Sequence, residues 1–111
     1  MERVPRTTVV HVNRDSYDIR IDRPGPWSNP HKIERESKKA RQAALMAFTV
    51  FVVSDDPKAV WIRDNLHKLV GKRLGCWCAP KGGVTSDDEL VCHGQILARM
   101  AESIAFPPKL V

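Results

Sequence analysis

The stretch that most constrains this fold is "DPKAVWIRDNLHKLVGKRLGCWC", residues 56–78. Asp56 can cap a helix with its side chain, and Pro57 suits the first helical position, where no backbone N–H is needed. Ile62, Leu66, Leu69 and Val70 share one face of a helix expected over about 57–70. Gly71 suits the residue just past its end, and "RLGCWC" then reads as a short strand. Upstream, "TTVVHV" (7–12) reads as a buried strand and "YDIRI" (17–21) as a half-buried one. "RPGPWSNPH" (23–31) is loop, by its prolines and glycine. Residues 34–55 read as a helix with Ala40, Ala44, Ala47, Phe48 and Phe51 on one face, and the β-branched "TVFVV" could turn its end into strand. Residues 79–91 are loop. A last helix is expected from Cys92 or His93, with Ile96, Leu97, Met100, Ala101 and Ile104 inward. The order predicts a small α/β domain, about three helices packed on one sheet, Rossmann-like in two or three layers.

At 111 residues the expectation is one domain, with residues 1–6 and 106–111 as flexible tails. No run reaches the ~18 apolar residues of a membrane span, and no signal-peptide core opens the chain, so a cytosolic protein is expected. The formal net charge is +5, and residues 1–42 hold most of the excess. That basic half could meet phosphate or an acidic partner, or simply be a solvated face.

All three cysteines lie in "CWC" and "CHG". An odd count in close spacing argues against a disulfide scaffold and for reduced thiols. Strand alternation puts Cys76 and Cys78 on one side and Trp77 on the other. The strand's end should lie near the start of the last helix, so Cys76, Cys78, Cys92 and His93 can converge. Cys₃His is a legitimate zinc set, but structural zinc sites favour C-x₂₋₄-C, and adjacent ligands are expected to strain the backbone. In a second reading the helix start activates Cys92 as a nucleophile with His93 as acid/base. Free N–H groups there would offer an anion or oxyanion site, and Gly94 would admit a ligand closely. In a third, the cysteines are small core hydrophobes. The spacing favours a ligand pocket over zinc.

"GKRLGCWCAP … CHGQILARMA", together with Arg23, Trp27, Asn29 and Pro30 in "RPGPWSNP", resembles the signature of an uncharacterised domain family of bacteriophages and bacteria. That signature is Gly-Lys-x-Leu-x-Cys-Trp-Cys-x-Pro, a Cys-His-Gly helix start, and an N-terminal Arg-x-x-x-Trp-x-Asn-Pro. The resemblance spans roughly residues 9–104. It departs at Ser28, where the family usually has glycine, and in the inserted "KGGVTSDDELV" (81–91), which could act as a lid. It implies a compact α/β fold and a phage or bacterial origin, hence a host-cell cytoplasmic location if phage-encoded, and no particular activity. With this element added, the pocket would take an anionic nucleotide-like ligand or a nucleic-acid end. Trp27 would stack, Asn29 would read a base or sugar, and Arg20 and Arg23 would take phosphate. The alternatives are a host-protein interaction module with structural or zinc-binding cysteines, and a Cys92-dependent transferase or hydrolase.

Overall fold

The computed structural model describes residues 6–22, 25–30, 37–77, 79–80 and 82–105, with the side chains of 104 and 105 excepted. The expected tails, Arg6 aside, and the place of Ile104 on the last helix lie outside the described residues. Four strands form one sheet: β1 (Thr8–His11), β2 (Ile19–Arg20), β3 (Arg73–Cys76) and β4 (Val84–Thr85), in the order β2-β3-β1-β4. β3 runs parallel to both β1 and β2, with Val9 and Ile19 opposite Leu74 and His11 opposite Cys76. β4 closes the far edge antiparallel to β1. The carboxyl ends of β1, β2 and β3 therefore meet at one edge of the sheet. Val9 and Val10 are both buried although they point to opposite faces: Val9 enters the core under the helices, and Gly83 lies against Val10 on the other side.

Helix α1 (Lys38–Val52) starts at Ser37, whose hydroxyl accepts the Ala40 N–H. It stays helical through the β-branched "TVFV", against the expectation that strand could begin there. Phe48 and Val52 lie one turn apart on the face entering the core, and Thr49 bonds back to the Leu45 carbonyl. Packing of that face outweighs local propensity. Helix α2 (Pro57–Asn65) carries the expected Asp56 cap and Pro57 start, then tightens into a 3-10 turn over Leu66–Leu69. Arg63 donates to the carbonyls of Val52 and Ser54, satisfying the exposed end of α1. Gly71 follows in the left-handed region at φ 72°. Its N–H meets the buried Thr7 hydroxyl, which itself donates to the Leu69 carbonyl. Helix α3 (His93–Ala105) buries Leu97, Ala98 and Ala101. The three helices share one core with Val9, Ile21 and Leu74, which makes a helical layer over one sheet face. No helix of the described residues is long and apolar enough to cross a membrane.

Candidate functional site

Three of the four expected Cys/His ligands converge at the carboxyl edge of the sheet. Cys76 is the last residue of β3 and points inward at 2% exposure, whereas Trp77, one residue on, is 53% exposed. Strand alternation separates them as the sequence suggests. Cys92 and His93 sit at the start of α3, at 0% and 7% exposure. The ligand atoms of Cys76, Cys92 and His93 all lie within 4.8 Å of one another. Cys78 lies outside the described residues, as does Arg23.

The backbone reaches this arrangement without the strain expected of adjacent ligands: among the described residues only glycines have positive φ. Cys92 stands just before the helix, with non-helical freedom, and His93 takes the first helical position. Their side chains turn toward the same point, Cys92 Sγ lying 3.8 Å from His93 Nδ1. Zinc bonds of about 2.3 Å to sulfur and about 2.0–2.1 Å to nitrogen place tetrahedral S and N ligands about 3.6 Å apart. The observed pair therefore needs little adjustment to share an ion. The far side of the imidazole is fixed as well. His93 Nε2 lies 3.0 Å from the Ile21 carbonyl and must carry the hydrogen of that bond. In the neutral ring this leaves the Nδ1 lone pair facing the thiols. An edge-on contact with Phe48, at 5.2 Å between centroids, holds the ring plane. A histidine whose other N–H donates to a carbonyl is the usual outer support of a metal ligand.

The N–H of Gly94 points at Cys92 Sγ over 3.4 Å, so the sulfur serves as the cap acceptor of α3. Gln95 completes the motif. Its Oε1 accepts the N–H groups of Val91 and Cys92, and its Nε2 donates to the carbonyls of Thr85, Asp88 and Glu89. Gln95 supplies the returning half of a capping box, while the sulfur caps the Gly94 N–H, and the amide extends the motif to hold a loop. Gln95 is 2% exposed and was absent from the sequence-derived site, although its spacing, Cys92-x-x-Gln95, matches the box and could have flagged it. The same bonds, with Arg99 donating to the Ser86 carbonyl, tie residues 84–91 of the inserted loop to the start of α3.

The other candidates are used differently. Gly94 makes room for packing: a Cβ there would lie 2.5 Å from Ile21 Cδ1 and 2.9 Å from Val9 Cγ2. Trp27 is buried and meets Trp61 edge-on at 4.9 Å, and the Asn29 amide donates to the Ala44 carbonyl. These contacts tie the proline-rich loop to α1 and α2. Arg20 grips Asp22 with a two-pronged fork, Nε to Oδ1 at 2.8 Å and Nη2 to Oδ2 at 2.6 Å. That bond, above all, holds the Asp22 carboxyl below its ordinary range and keeps the Arg20 guanidinium charged.

A solved structure that matches the chain is not found. The chain is 27% identical over 96 residues to an uncharacterized 12.4 kDa protein of the nrdA-td intergenic region of Enterobacteria phage T4, covering 86% of this chain and 78% of that protein. Residues 5–103 match the model of a domain of unknown function, DUF4326, nearly the whole length carrying the strands, helices and Cys/His cluster described above, and the chain belongs to that family.

Proposed function

We propose that this chain is a small phage-type accessory module whose sheet edge is stapled by one zinc ion, held by Cys76 Sγ, Cys92 Sγ and His93 Nδ1. The observation that carries the reading is the imidazole: the Ile21 carbonyl claims Nε2 and turns Nδ1 toward two buried sulfurs. Burial suits a structural centre, because such centres are closed to substrate. The Gly94 N–H on Cys92 Sγ favours the thiolate form that a metal needs. The ion would tie the end of β3 to the start of α3 and, through His93, to the end of β2.

Elemental analysis of protein purified without chelator tests this, with cobalt substitution as a second reading. One zinc per chain is expected, with the visible bands of tetrahedral thiolate-bound cobalt. Cys76→Ser and Cys92→Ser should each lose most of the metal, and Cys78→Ser reports whether a further thiolate belongs to the set. Metal-free protein of unchanged stability would refute the staple.

A second reading has Cys92 as a nucleophile with His93 as its base, and the same 3.8 Å pair favours it. Complete burial of Cys92 counts against it. Rapid, selective alkylation of Cys92 in metal-free protein near neutral pH would support this reading over the first.

A further inference from the structure

We propose that the outer face of the same sheet edge binds a nucleotide, with the base stacked on Trp77 and the phosphate at Arg20. This goes beyond the zinc reading and uses different atoms. Trp77 leaves β3 on the side opposite Cys76 and is 53% exposed, a large aromatic plane open to solvent. His11 supports it edge-on, at 5.5 Å and 86°. The imidazole of His11 is itself fixed, since the Asn13 N–H donates to its Nδ1 over 3.1 Å and leaves Nε2 to carry the hydrogen. Tyr17, 40% exposed, lies over Gly75, where a Cβ would come within 2.9 Å of its ring. Gly75 therefore leaves room for a second aromatic ring against this face of the sheet.

Arg20 is paired in register with Gly75, so it projects from the same face as Tyr17. Its side chain is 51% exposed, and Asp22 engages only Nε and Nη2. The guanidinium is thereby held still beside Tyr17, with half of the side chain open to solvent. Two half-exposed rings around a fixed cation suit a ligand that is both flat and anionic. The cation disfavours a positively charged guest, and a purely apolar guest would make no use of it. The position, just beyond the carboxyl ends of parallel strands, is where open α/β sheets bind ligands. Asp22 neutralises much of the local charge, so stacking dominates and one phosphate contact adds to it.

The free mononucleotide and the single strand share this chemistry, and titration of the zinc-loaded full chain with each separates them. A nucleoside monophosphate, its nucleoside and a short single-stranded oligonucleotide are followed by calorimetry. Binding of the monophosphate identifies a nucleotide site; binding of the oligonucleotide alone identifies a strand site; either supports the proposal. Trp77→Ala should weaken binding roughly 5- to 150-fold, the range for losing one stacked base, while Trp77→Phe keeps most of it. Arg20→Lys, which preserves a partner for Asp22, should weaken the phosphorylated ligands and leave the nucleoside unchanged. For the oligonucleotide, log affinity should fall with log salt at a slope of about −0.7, as for a single phosphate contact on a single strand. No binding of any ligand, or unchanged affinity in a folded Trp77→Ala chain, overturns the proposal. Zinc content read on the same samples keeps the two proposals apart: a zinc-loaded chain that ignores nucleotides sinks this one alone.

Discussion

Gln95 offers the sharpest test of how this edge is held together. Gln95→Ala removes one buried amide that bonds two backbone N–H groups and three backbone carbonyls. Asp88 and Glu89 are exposed, so their carbonyls can turn to water. Cys92 is buried and Val91 half-buried, and the N–H groups of both donate to Gln95 Oε1. Stranding a buried donor costs about 1–3 kcal/mol, so the pair implies a loss of about 2–4 kcal/mol. For a chain this size the melting temperature should fall by roughly 10–20 °C. Gln95→Glu separates charge from shape. Its carboxylate can accept the same N–H groups but faces three carbonyls, and burial also opposes the charge. The introduced carboxyl should therefore titrate above the unfolded value of about 4.3. Its folded form binds the proton more tightly, so the variant is nearest wild type below about pH 4 and loses stability as pH rises through the folded pKa. Urea melts across pH 3–8 read both effects. A Gln95→Ala chain within 0.5 kcal/mol of wild type, or a Gln95→Glu chain that gains stability with rising pH relative to wild type, would falsify this account of the loop.

Two further outcomes follow from the packing. Gly94→Ala puts a Cβ against Ile21 and Val9; the Ile21 tip can swing aside, but Val9 is β-branched and buried. Overpacking of about 1–3 kcal/mol should exceed the helix gain of about 1 kcal/mol, leaving a net loss in denaturant melts; a more stable variant would show that α3 can lift from the sheet freely. Because the Arg20 fork depresses the Asp22 carboxyl, its stabilisation is present above the unfolded value of about 3.9 and is lost as pH falls through the folded value. Asp22→Asn should thus cost most near neutrality and flatten the acid limb of melting temperature against pH, and an unaltered acid limb would show that the fork adds nothing.

Much of the architecture was legible because its signals are local. Asp56 and Pro57 start α2, Gly71 turns the chain into β3, and the last helix begins at His93, all as the residue types dictate. The departures from local reading share a cause. "TVFVV" reads as strand by propensity, yet Phe48 and Val52 are one helical turn apart and both find the core. Gly94 reads as an opening for a ligand, yet Val9 and Ile21, far off in sequence, fill the space. Trp27 and Asn29 read as a binding pair, and the contacts that absorb them come from α1 and α2.

The cysteine–histidine cluster divides the same way. Residue types and alternation were enough to say that Cys76 faces inward, that Trp77 faces outward, and that Cys92 and His93 open a helix. Spacing alone argued against a shared metal, because it counts residues along the chain and not the directions of side chains. Those directions are set by parallel pairing of β1, β2 and β3, which brings the Ile21 carbonyl to His93 Nε2 and turns Nδ1 onto the sulfurs. A hydrogen bond spanning 72 residues has no local sequence signature, so only the folded chain could orient that ring.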